Sequence, residues 1–371
     1  MKKIIYSALI LFYLSFSLLA NEGGKISKDI SAVFRGYFTD DQRIFWSGLE
    51  MSFGVEAVLR IDIKKQIEKH AFFVESEFFL NQPYGKNILT DDERKRYIEN
   101  FKIPTFEISK LNIGYKNNNM SISIGKNLSP FGRMNYPLFL NNYKIYSPFI
   151  RSEAILLRET GLFFHWKPLI FSIDLAIVNG EENRDTNSFK GGIARLGFDF
   201  NFLKIGVSVK AQDGIGSEQQ KEYKNHLGAD FLLKIGWFSI SGEVIYDQYG
   251  FHREFNEKEM FWSSSFYYRD IFYKYKTPIE GKGGYINLKF EKNGDIFNLS
   301  YGEYYPRDIG YIYHDQNIKR FILKIRKNLT KNLSMIIMGV KENERKYKEP
   351  WRNGEKGYAF TVGFEFKTLL R

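Results

Sequence analysis

The sequence predicts an all-β fold: a transmembrane up-and-down antiparallel β-barrel of sixteen strands, preceded by a cleaved signal peptide. Three observations predict it. The N-terminus is basic and then apolar, as in a chain addressed for export. Sixteen segments alternate apolar and polar residues with period two. The connections between those segments alternate strictly between short and long.

Lys2 and Lys3 precede an uncharged apolar run from Ile4 to Ala20, and Ala20 stands before Asn21. This is the order of a secretory signal: charged region, apolar region, small residue at the cleavage point. The run is at the short end for a spanning helix, so residues 1–20 are read as a signal peptide and 21–371 as a single barrel domain. The 371-residue chain contains no Cys, so an exported domain must be stable here without disulfides, through a large core or a closed sheet. Beyond residue 20 no uncharged apolar run approaches the length of a spanning helix, which excludes helical membrane topology and leaves a barrel open. Mean hydropathy is −0.36, as expected of strands that show a polar face to a lumen. The formal net charge is +11, with Lys2 and Lys3 in the segment to be removed. The basic residues are dispersed, with no run of the kind that forms a nucleic-acid arm, so no nucleic-acid partner is expected. Aromatic residues make up 17% of the chain, and a lipid-facing surface with interfacial girdles absorbs such a share.

The strands follow in order. Residues 31–38 carry Arg35 on the polar side, and residues 50–63 set Met51, Phe53, Val55, Ala57, Leu59 and Ile61 against Ser52, Gly54, Glu56, Arg60 and Asp62. Residues 70–80 hold Glu75 and Glu77, and 105–116 hold Lys110 and Lys116, on that same side. In 119–126 the outer face is Met120, Ile122 and Ile124; 157–166 ends on Trp166, and 169–179 turns Asp174 inward. Residues 191–200 carry Arg195 and Asp199, and 203–211 oppose Leu203, Ile205, Val207 and Val209 to Lys204, Gly206, Ser208 and Lys210. Next come 225–235 with Asp230 and Lys234, 237–246 with Glu243, 283–291 with Lys289 and Glu291, and 295–304 with Tyr301. The last three are 318–327 with Lys324 and Arg326, then 332–341, then 356–367, where Tyr358, Phe360, Val362, Phe364 and Phe366 alternate with small residues and Glu365. Most of these lengths suit the roughly 9 to 11 residues that cross a bilayer at barrel tilt. Charged residues on an inner face are costly in a dry sandwich, whereas a watery lumen accepts them. Trp166, Trp237, Tyr246, Tyr301 and Tyr358 stand at strand ends, where girdles form.

The short connections lie at Lys64 to Glu68, 117–118, 167–168, 201–202, Gly236, 292–294 and 328–331. The long ones are 39–49, 81–104, 127–156, 180–190, 212–224, 247–282, 305–317 and 342–355. A soluble sandwich keeps no such phase. A barrel of the outer membrane does, with short periplasmic turns, long extracellular loops and both termini periplasmic, so that the last strand pairs with 31–38. Sixteen strands enclose an aqueous channel that side chains cannot fill. The alternative is eighteen, if "FWSSSFYYRDIFYKYK" within 247–282 forms a further hairpin.

The lumen wall then carries Arg60, Lys110, Arg195, Lys204, Lys210, Lys324 and Arg326 among its basic residues, nearly balanced by acids that pair with them across strands. The third long connection, 127–156, is different. Lys126, Arg133, Lys144, Arg151 and Arg158 lie in or beside it, with Glu153 the sole acid between Lys126 and Arg158. Folded into the barrel, it makes a positive constriction that favours anions. Left outside, it is a solvated surface loop. The residues alone leave both open.

"SISIGKNLSPFGRMNYP", residues 121–137, and the return "RETGLFFHWKP", residues 158–168, resemble the strand-to-loop junction and return strand of porins of the phosphate-selective O and P type. The resemblance implies a sixteen-stranded homotrimeric porin with an inward third loop passing phosphate or other anions. The chain has no dense ladder of lumenal arginines, and Phe366 stands five residues before the C-terminus, so only the general anion-porin role carries over. The expected partners are therefore the outer-membrane bilayer of a Gram-negative-type bacterium and small anionic or hydrophilic solutes. The alternative is a non-conducting surface barrel, an adhesin or structural protein acting through long loops such as 81–104 and 247–282.

No enzymatic chemistry and no cofactor is expected. His70, His165, His226, His252 and His314 are not at metal-ligand spacings. No Gly-x-Ser-x-Gly, Gly-rich phosphate loop or internal repeat occurs.

Overall fold

The computed structural model describes residues 24–39, 49–87, 106–133, 158–179, 190–215, 221–251, 279–306, 318–342 and 358–370. The signal-peptide assignment to residues 1–20 lies outside them, as do Lys144, Arg151 and the greater part of connection 127–156. Sixteen strands form: β1 (Lys25–Thr39), β2 (Leu49–Ile67), β3 (His70–Asn87), β4 (Phe106–Lys116), β5 (Met120–Leu128), β6 (Arg158–Trp166), β7 (Phe171–Val178), β8 (Gly191–Asp199), β9 (Leu203–Ile215), β10 (Lys221–Ile235), β11 (Phe238–Phe251), β12 (Ile279–Lys292), β13 (Asp295–Pro306), β14 (Ile318–Asn328), β15 (Leu333–Glu342) and β16 (Tyr358–Leu370). Each pairs antiparallel with its sequence neighbours, and β1 pairs with β16, so the sheet closes into a barrel without an edge. Among the described residues no helix is long and apolar enough to cross a membrane.

The strand number is sixteen. β11 pairs directly with β12, from Phe238↔Phe290 to Tyr249↔Ile279, so the described wall has no strand between them; the segment offered as a further hairpin lies within 252–278, outside the described residues. The seven short connections are tight turns. Asn293 and Gly294 both have positive φ, 54° and 82°, the requirement of a two-residue type I′ hairpin, and Gly236 opens the β10–β11 turn at φ 58°.

The outward face is apolar. On β9 and β10, Val207 is 52% and Leu227 58% exposed, while inward Ser208 and Asp230 are 2% and 5% exposed. Water would disfavour that surface by roughly 25 cal/mol per Å², and lipid removes the penalty. The strand-end aromatics Trp166, Trp237, Tyr246, Tyr301 and Tyr358 are all exposed on it. At the turn end Trp237, Phe238 and Phe297 cluster around Phe290, with ring centroids 4.9 to 5.9 Å from it.

Two local features depart from simple alternation. On β4 the partner of β3 steps from Lys110 (opposite Glu77) to Ile108 (opposite Phe78), leaving Ser109 as a bulge. The bulge lets Ile108 and Leu111, three residues apart, both face outward. The C-terminal residues 367–370 are part of the wall: Lys367, Thr368, Leu369 and Leu370 pair with Val33, Ala32, Ser31 and Ile30. The β15 register ends at Leu333↔Phe366, with one further bond from Lys367 N–H to the Asn332 carbonyl at 2.8 Å, and the pairing with β1 carries on to Leu370 and lengthens the closing seam.

Candidate functional site

β5 delivers the chain to Ser129-Pro130, and the proline, without an N–H, cannot continue a ladder. The next three residues enter the barrel. Phe131 is buried in an apolar seat on the inner wall made by Phe163 of β6, Ala176 and Val178 of β7, Ile193 of β8 and Ile245 of β11, with Tyr285 of β12 beside it. Its ring meets His226 edge-on at 6.0 Å. Gly228 on β10 leaves room for it, since a Cβ there would stand 2.9 Å from the ring.

Gly132 has φ +67°, a conformation that favours glycine, and a Cβ on it would fall 1.7 Å from a carboxylate oxygen of Glu243, which would have to move aside. Its N–H donates to Ser208 Oγ at 3.0 Å. Arg133 Nε then donates to Asp230 Oδ1 at 2.7 Å. β5 and β10 are five strands apart in the ring, so the start of the third long connection runs inside the barrel, against the inner wall, to a part distant from its own strand.

Asp230 joins a chain of charges. Arg195 on β8 donates to it through Nε and Nη2, at 3.1 and 2.9 Å, and approaches Asp174 at 3.7 Å. Asp174 in turn contacts His165 Nδ1 at 2.5 Å. Gly197 and Gly206, paired across β8 and β9, open the space for the Arg195 guanidinium; a Cβ on Gly206 would lie 2.3 Å from it. Asp199 binds Lys167 at 2.6 Å and Lys204 at 3.0 Å, with Arg133 Nη2 4.0 Å away.

Elsewhere on the inner wall, Glu77 receives Arg60 at 2.7 Å and Arg158 at 3.3 Å, and Glu75 pairs with Lys110 at 2.6 Å. Lys210 and Glu159 form a pair 2.8 Å apart with no side-chain exposure on either. On the opposite side of the ring Glu365 accepts Arg35 at 2.8 Å and Arg326 at 3.1 Å. Lys324 faces the same region, with Arg35, Arg326 and Lys289 as cationic neighbours and Glu365 as the acid.

The basic positions selected from sequence thus separate into groups. Arg133 and Arg158 face inward and hold carboxylates, Lys126 is buried at the end of β5, and Lys144 and Arg151 lie outside the described residues. Arg60, Lys110, Arg195, Lys204, Lys210 and Arg326 are engaged by acids, whereas Lys324 has no acid at ion-pair distance among the described residues. Sequence reasoning missed the Phe131 seat. Its signal is present in hindsight as apolar residues, Ala176, Val178, Ile193 and Ile245, on strand faces that should meet water.

A closed sixteen-strand antiparallel barrel with short turns at one end is the fold of the outer-membrane porins, and comparison with solved structures agrees. The chain is similar to OmpF of Salmonella typhi, solved with daunomycin (11% identity, TM-score 0.62, covering 94% of this chain and 99% of that one). It is similar to an anion-selective porin from Comamonas acidovorans (10% identity, TM-score 0.58, 94% and 100%). It also matches a loop-deleted form of OmpT, an outer membrane protein of Vibrio cholerae (9% identity, TM-score 0.62, 92% and 99%). No family model and no curated protein matches the sequence.

Proposed function

We propose that this chain is an outer-membrane porin giving passive diffusion of small hydrophilic solutes, with a preference for anions. One observation carries the reading: residues 131–133 cross into a closed sixteen-strand barrel and attach to its inner wall as far round as β10, which is how a connection narrows a pore rather than decorating its rim. A barrel working through its outer loops has no use for that crossing. The anion preference is supported by the basic excess of the chain and by the Arg35, Lys289, Lys324 and Arg326 group around Glu365. The anion-selective Comamonas porin among the similar structures, and the resemblance of residues 121–168 to the phosphate-selective O and P type, point the same way. The absent arginine ladder favours small anions generally over phosphate alone. Removal of residues 1–20 on export and assembly as a homotrimer belong to the same reading; one similar structure, OmpT of Vibrio cholerae, is a trimer form.

Swelling of liposomes loaded with the purified protein tests it. Monosaccharides and small carboxylates should enter and large oligosaccharides should not, with anionic solutes faster than cationic ones of equal size. Swelling no faster than in protein-free liposomes overturns the proposal.

A further inference from the structure

We propose that Asp230 is a specificity-determining latch: its carboxylate pins the start of the third long connection to the wall and offsets the charge that Arg133 brings into the lumen. The mechanical half rests on geometry alone, and the electrical half rests on the porin reading above.

The Asp230 side chain has no exposure and accepts three charge-assisted hydrogen bonds, two from Arg195 and one from Arg133. Arg195 is fixed to the wall in the space opened by Gly197 and Gly206, so Asp230 is held from behind and offers one oxygen to the arriving loop. The other acids near these guanidiniums are committed. Asp174 stands 3.7 Å from Arg195 and serves His165, and Asp199 is 4.0 Å from Arg133 and serves Lys167 and Lys204. Asp230 is therefore the group that keeps Arg133 from acting as a bare cation and, though shared with Arg195, reduces what the loop arginine adds to the field a solute meets. Phe131 in its apolar seat is a second attachment that does not depend on charge, so losing Asp230 loosens the connection without ejecting it. The ladder of β10 is unaffected, because the substitution changes a lumenal side chain only.

The test uses the full-length protein as Asp230→Asn, Arg133→Ala and the double variant. Hydrogen exchange of the peptide holding Phe131 to Arg133 reads the latch, since the Gly132 amide is bonded to Ser208. Each single variant should lose about tenfold in protection, as expected for one charge-assisted bond, and the double variant should lose no more. Unchanged exchange in D230N, or losses that add in the double, overturns the latch. Permeability ratios from planar bilayers read the charge. A unit charge about 7 Å from an ion's path in water shifts its energy by about RT, which favours anions and disfavours cations by about e-fold each. With screening, D230N should raise the anion-to-cation ratio about two- to sevenfold, and R133A should lower it. A ratio unchanged or lowered in D230N overturns the charge-masking role. Wild-type protein that does not conduct overturns the porin reading and the electrical half with it, while exchange still decides the latch.

Discussion

The Lys210–Glu159 pair predicts its own energetics. The two charged atoms are 2.8 Å apart, joining β9 to β6, and neither side chain has any exposed surface. At an effective dielectric constant near 20 their attraction is roughly 6 kcal/mol. Withdrawing each ion from water costs several kcal/mol, so the intact pair is close to neutral for stability. Removing Lys210 is not neutral, because the Glu159 carboxylate then stays buried without the cation that compensates it. Lys210→Met should therefore destabilise the barrel by about 3–5 kcal/mol, Glu159→Gln should also destabilise it, and the double Glu159→Leu/Lys210→Met should recover most of the loss. Equilibrium urea unfolding in lipid vesicles, followed by tryptophan fluorescence, measures all three. If Lys210→Met costs under about 1 kcal/mol, as at solvated sites, the pair is wetted and the reasoning fails. If the double is as damaged as the singles, the residues act through packing. A cost of the expected size makes Lys210 a structural residue of the wall rather than a contact for solute.

Other substitutions test the remaining parts. Gly132→Val places a Cβ on the Glu243 carboxylate at a φ of +67°, so it should release the connection and raise open-channel noise while leaving the β-sheet circular dichroism unchanged. Deleting residues 367–371 removes the pairing of 367–370 with Val33 to Ile30, which should lower the temperature at which the folded band converts on semi-native gels. N-terminal sequencing of the protein purified from outer membranes should begin at Asn21; a start at Met1 refutes cleavage after Ala20.

Period-two alternation placed all sixteen strands, because a lipid-facing residue and a lumen-facing residue must differ at nearly every step. Where that contrast disappears the sequence went silent. β9 runs to Ile215 and β10 starts at Lys221, within a stretch read as the long connection 212–224. "QDGIGSEQQKEYK" is largely polar at successive positions, so it gives no two-faced signal while the strands still pair, for example Tyr223↔Asp213. The bulge at Ser109 was hidden for the opposite reason: a single inserted residue shifts the phase within a strand, and Ile108 and Leu111 read as ordinary apolar positions. The tail "KTLL" ends β16 by pairing with residues of β1 more than 330 positions earlier, and no local pattern encodes a partner so distant. The same limit applied to the site. The excess of basic residues around 127–156 was legible, and that Arg133 would meet Asp230, 97 residues away, was not.

The most direct measurement of the central claim is the current through purified wild-type protein in a planar bilayer under a salt gradient. Stepwise conductance with a reversal potential displaced toward the anion equilibrium potential is the predicted result. Membranes that contain the folded barrel yet stay silent, or a potential displaced toward the cation, would contradict it.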